Sequence, residues 1–127
     1  MALQEIWESV IDAEYSEILA PWSFHSNALG CNVTVPAGFI YDHESIPLFK
    51  GTSKRGGLVH DYLSRIDSKP VCTKKGAARA YKEVMTIQKN EAWRIFRNYW
   101  IVRFWPGYFH KYSIKATYEK ISGRSRK

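Results

Sequence analysis

The stretch RGGLVHDYLSR sets His60 directly beside Asp61 in an otherwise apolar run. Upstream, VPAGFIYDHESIP (residues 35–47) carries Asp42, His43, Glu44 and Ser45 in a segment closed by Pro47. Neutral imidazole and carboxylate together suit zinc, manganese or iron. Asp42, His60 and Asp61 are therefore candidate ligands for a divalent metal. A hydroxide on such an ion attacks esters or amides. Without a metal, Asp42 could orient His60 as a general base, with Ser45 as the nucleophile. The candidate catalytic set is Asp42, Ser45, His60 and Asp61. The same residue types also have a purely structural use. An Asp or Ser after a strand binds the backbone N–H groups of a turn. An Asp–His pair linking loop to helix would then fasten the fold and do no chemistry. An HD-type phosphohydrolase site needs an earlier helical His and a later Asp. Here His43 sits in a Pro- and Gly-bounded loop, and so does the nearest later acid, Asp67, in a loop of its own. The dipeptide alone is a weak signal.

The elements that must position these residues can be read from the pattern. A chain of 127 residues forms one domain, large enough to bury roughly two thirds of its unfolded surface. Leu3, Ile6, Trp7, Val10 and Ile11 recur at helical spacing and predict a short helix. Residues 15–25 read as extended, with Pro21 as an edge or break. CNVTV, residues 31–35, alternates and is β-branched, so it predicts a strand, and FIY continues extended after PAG. Thr52 or Ser53 can cap a helix running through His60 to Ser64. A second helix spans about Lys74–Lys89, with Ala77, Tyr81, Val84, Met85 and Gln88 along one side. Asn90 can cap a third helix ending near Phe104, before Pro106 and Gly107. Residues 110–121 predict one more short helix or strand. The fold class is α+β, a small N-terminal antiparallel sheet packed against about three helices. One domain spans 1–121, followed by a basic tail over 122–127.

Charge and aromatic content suggest partners. The net charge is +7, yet residues 1–20 hold Glu5, Glu8, Asp12, Glu14 and Glu17 with no base. KYSIKATYEKISGRSRK, the C-terminal end, carries six bases against Glu119. Such asymmetry fits contact with nucleic acid or an acidic partner, and equally a solvated surface with a frayed tail. Arg94, Arg97 and Arg103, then Lys111, Lys115, Arg124 and Arg126, are the candidate binding residues. The arginines interleave with a run of aromatics from Trp93 to Tyr112. Bases can stack on exposed rings while arginines hold phosphates. However, Trp93, Phe96, Trp100 and Phe104 follow helical spacing, which predicts a face packed into the core. Any exposed remainder would mark a protein interface sooner than a nucleic-acid platform. Cys31 and Cys72 form no CxxC pattern and read as reduced thiols. MALQEIWESV lacks the order of a signal peptide, and YWIVRFW is too short and too charged to span a membrane.

Taken together, the blocks resemble a family, the phage and bacterial domain of unknown function 1353. VPAGFIYDHESIP resembles its first signature, through Asp42, Ser45 and Pro47. RGGLVHDYL resembles the HD segment that follows, through His60, Asp61 and Leu63. TKKGAARAYKEVM resembles its third block. The resemblance covers about residues 30–107. Tyr41 stands for the family's usual Thr, Ser64 for Tyr, Lys74 for Arg, and Ala78 for Asp. If the acid at position 78 completes a site, this chain lacks it. The resemblance implies a small protein of tailed phages or prophages, located in the host cytoplasm or incorporated in the virion. It assigns no activity. Two functions stay open. One is a non-enzymatic virion-associated or accessory component that binds phage structural proteins, or nucleic acid through its basic C-terminal region. The other is a metal-dependent hydrolase, of peptidase or phosphoesterase type, with zinc or manganese at Asp42, His60 and Asp61.

Overall fold

The computed structural model describes residues 5–11, 15–42, 54–104 and 114, with backbone alone at Tyr15, Asp42 and Lys54. Among them lie five strands and three helices, in the order β1 (Glu8–Val10), β2 (Tyr15–Ile18), β3 (Trp22–Ser26), β4 (Cys31–Val35), β5 (Ile40–Asp42), α1 (Lys54–Leu63), α2 (Lys74–Ile87) and α3 (Ala92–Phe104). The expected α+β class holds, with the strands in the N-terminal half. The strands form two small antiparallel sheets, ordered β1-β2-β5 and β3-β4.

The predicted N-terminal helix is corrected. Glu8–Val10 pairs with Ser16–Ile18 as a hairpin. Ser16 and Ile18 face inward and are fully buried, while Trp7 and Leu19 point outward. The apolar residues of this segment thus serve two faces of a sheet, and their helical spacing is coincidental. The expected strand at 31–35 is β4. Its Val33 and Val35 face Phe24 and Trp22 across the ladder and are buried. The outward pairs are polar, with Ser23 bonded to Thr34 and His25 to Asn32, each at 2.8 Å. Two glycines make the connections possible. Gly30 closes the β3–β4 turn at φ 71, and Gly38 leads into β5 at φ 89; a side chain at either would be strained. The Gly38 N–H donates to Ile18 O and the Ile18 N–H to Phe39 O, which seats β5 beside β2.

The helices stack outward from the sheet. α1 packs on β5, α2 on α1, and α3 on α2. The main core joins Ile18, Trp22, Val33, Phe39 and Tyr41 of the sheets to Leu58, Tyr62 and Leu63 of α1 and Ala77, Ala80 and Val84 of α2. A second core, between α2 and α3, holds Ala78, Tyr81, Met85 and Val102. α2 starts where expected, capped by Thr73, whose Oγ1 accepts from the Gly76 N–H at 3.0 Å. α3 begins at Ala92; the Glu91 carbonyl takes its first helical bonds, from Arg94 and Ile95, which places the cap one residue beyond Asn90. The expected caps Thr52 and Ser53, and the element at 110–121 apart from Ile114, lie outside the described residues.

One carboxylate fastens the β3–β4 turn to α2. Glu83 accepts from Ser26 Oγ and from the Asn27 N–H, both at 2.7 Å. Hydrogen bonds to a charged acceptor are among the stronger ones. Glu83→Ala is therefore expected to lower stability by about 2–3 kcal/mol, read as a shifted urea midpoint with an unchanged slope. A loss below about 0.5 kcal/mol would mean the turn holds without it.

Candidate functional site

His60 and Asp61 sit on the last turn of α1, where neighbouring side chains diverge by about 100°. They consequently enter different surroundings. Asp61 faces the sheet side and is 2% exposed. Its Oδ1 and Oδ2 lie 3.3 and 3.4 Å from Arg65 Nη2. The same nitrogen donates to Ile40 O at 3.4 Å, and the guanidinium sits 5.1 Å from the centre of the Phe39 ring. The pair is an i, i+4 bridge pulled into the core, linking α1 to β5. Nearby, Tyr41 donates its hydroxyl to Glu8 Oε1 at 2.9 Å. Burial first, then the Glu8 and Asp61 charges, push that phenol well above its ordinary range.

His60 faces α2. Its ring meets Tyr81 edge-on, with centroids 6.0 Å apart. The residue keeps some exposed surface, but Nε2 is sealed from solvent and has no hydrogen-bond partner. Burial, and then the Lys74 ammonium, push the imidazole down to about 4. It is neutral near pH 7. The unfolded chain, with an ordinary histidine at 6.5, binds the extra proton first. Stability from this group is therefore fully present above pH 6.5 and falls as pH drops toward 4, by about 2–3 kcal/mol. Urea denaturation across that window should show the loss, and His60→Gln should remove it. An identical slope in the variant would place the pH dependence elsewhere.

Asp42 ends β5, its backbone paired with Tyr15, and its side chain lies outside the described residues, as does Ser45. The family's third-block position, Ala78, is fully buried beside Tyr81 in the α2–α3 core. Lys74, Ala78 and Tyr81 share one stripe of α2, and His60 is against that stripe. Ser64, the departure after Leu63, donates Oγ and N–H to the His60 carbonyl at 2.6 and 3.0 Å, tying off the helix end. Asp61 already holds a guanidinium, His60 lies close enough to the Lys74 ammonium for it to depress the imidazole, and no cluster of three His, Cys, Asp or Glu occurs among the described residues. Arg65, Tyr81 and Glu8 were missed by sequence reasoning. The Asp61–Arg65 spacing was the available signal for the first.

On α3 the expected core face is turned outward. The buried residues are Asn98 and Val102, flanked by Ile95 and Tyr99. Asn98 Nδ2 donates to the Tyr81 hydroxyl at 3.1 Å. Trp93, Phe96, Trp100 and Phe104 are 54%, 67%, 44% and 62% exposed. Trp100 stacks on Phe104 at 5.4 Å and meets Phe96 edge-on. Arg94 and Arg97 lie over Trp93, and Arg103 over Phe104. Candidates Lys111, Lys115, Arg124 and Arg126 lie outside the described residues. Among the described residues no helix is long and apolar enough to cross a membrane.

A family model described as "Protein of unknown function (DUF1353)" matches residues 16–102. The match starts within β2, earlier than the sequence blocks suggest, and ends within α3. No curated protein and no solved structure matches the chain.

Proposed function

The chain belongs to the DUF1353 family, and from that premise we propose that it is a phage-encoded, non-enzymatic binding component whose contact surface is the outer face of α3. The observation that carries this reading is the row Trp93, Phe96, Trp100 and Phe104, all open to solvent. A helix that already buries one stripe on α2 gains nothing for its own fold by exposing a second aromatic one. Contiguous exposed apolar surface is typical of interaction sites. The rim is basic through Arg97 and Arg103, Arg94 being paired with Glu91 at 3.4 Å, so the fitting partner is a protein surface that is apolar at its centre and acidic around it. Nucleic acid fits less well. Trp93 and Phe104 already carry arginines, and Trp100 and Phe104 stack on each other, which leaves little free ring face for bases. The use of Asp61 in a buried ion pair also favours a structural role for the HD dipeptide over the hydrolase.

Mass spectrometry of purified virions, with affinity capture from infected cells, tests this. The protein or a defined partner is expected in one of the two. A paired Trp100→Ala, Phe104→Ala variant should weaken capture by about 30-fold or more, as hot-spot aromatics do. Absence from particles together with no captured partner would sink the reading. Capture that nuclease abolishes would redirect it to nucleic acid.

A further inference from the structure

The fold has a second exposed apolar patch, of opposite charge, at the far end of the stack. Trp7 and Leu19 are 70% and 56% exposed and adjacent, the Leu19 N–H donating to Trp7 O at 2.8 Å. Glu17 shares the outward face with Leu19, since Ser16 and Ile18 point into the core. Glu5, with its side chain 86% exposed, stands beside this patch and reaches Arg55 at 3.2 Å. The first twenty residues contain no base. The principal packing contacts run β1 to β2, β2 to β5, β5 to α1, α1 to α2, and α2 to α3. The acidic patch thus lies at one end of a linear series and the basic aromatic face at the other. One chain cannot readily bring the two together.

We infer that the occupant of the α3 face is the β1–β2 face of a second copy, so that copies associate head to tail. This rests on the reading of α3 as a contact surface and names its partner. Trp7 and Leu19 would meet Trp93, Phe96, Trp100 and Phe104, with Glu17 facing Arg97 and Arg103, since Glu5 and Arg94 are already paired with Arg55 and Glu91. Such a contact joins two different surfaces, so it leaves one free face at each end and adds further copies until the rotation closes a ring. The charged rim orients the approach and loses strength as salt rises.

Two variants test this by sedimentation. One carries Trp7→Ser with Glu17→Lys, the other Trp100→Ala with Arg103→Glu. The wild-type chain is expected to grow in mass with concentration beyond a dimer, and less so in about 0.5 M salt. Each variant alone should remain monomeric, its association weakened by about 30-fold or more. Mixed in equal amounts, they should form a heterodimer and nothing larger, because each retains the face the other lacks. A wild-type chain that stays monomeric overturns the inference, as does a mixture that does not pair or a dimer indifferent to the β1–β2 variant. If the α3 variant then still loses its virion or cellular partner, the reading of α3 stands and only its occupant was wrong. If that partner is also retained, both fail. A lowered urea midpoint of the α3 variant, without a change in association, would mean that the face serves the chain's own fold and would overturn the inference.

Discussion

Asp61→Ala should cost the fold about 3–5 kcal/mol, the range for removing one partner of a buried ion pair. The reason is what remains. Arg65 is 1% exposed, and a guanidinium cannot shed its proton to ease its burial. Among its other contacts, Ile40 O and the Phe39 ring carry no full negative charge. Asp61→Asn should cost less, since the amide oxygen still accepts. A double variant, Asp61→Leu with Arg65→Met, should recover most of the loss, because it removes both desolvated charges. Urea denaturation near pH 7 reads all three. The double variant also separates structure from chemistry. If it folds and still captures its partner, Asp61 serves as a clasp. A loss below about 1 kcal/mol for Asp61→Ala would mean that water reaches the pair.

The second large effect is expected at position 78. Ala78 lies between Lys74 and Tyr81 on α2, and the Tyr81 ring meets His60, whose Nε2 has no partner. Ala78→Asp would place a carboxylate beside that imidazole. An opposite charge at such range raises a histidine by about 1–3 units, so His60 should move from about 4 back toward or above its ordinary value. The stability lost between pH 6.5 and 4 would then largely disappear. NMR titration of the His60 ring protons measures the shift directly. Ala78→Asn is the control, offering a hydrogen bond without charge, and should leave His60 low. An unmoved His60 in a folded Ala78→Asp variant would show that the two positions do not meet.

How much of this was legible before the structure differs from element to element. β4, α2 and α3 were readable because each has one dominant period, two for the strand and near 3.6 for the helices, and α1 was read from the capping residues Thr52 and Ser53 before it. β1 and β2 were not. Ile6, Trp7 and Val10 mimic a helical stripe, but strands this short give periodicity too few repeats to decide. The faces of α3 were inverted for a different reason. Ring size suggested that Trp93, Phe96, Trp100 and Phe104 fill the core, while the stripe that does so contains Asn98, a residue burial normally disfavours. Its Nδ2 bond to Tyr81 and the bond its Oδ1 accepts from Arg97 make that burial tolerable. At the candidate site, adjacency suggested joint action by His60 and Asp61. Helix geometry turns neighbours apart, and the informative spacing was from Asp61 to Arg65.

The strand order has a kinetic side. β2 must find β5 across the intervening β3–β4 segment, a non-local pairing with a high entropic cost. The β3–β4 hairpin is local and closes on its own turn. Once formed, it ties up most of the chain between β2 and β5, so the remaining loop is short. Folding should therefore begin at the hairpin, with Trp22, Phe24, Val33 and Val35 structured in the transition state, and the β1–β2–β5 sheet should zip afterwards.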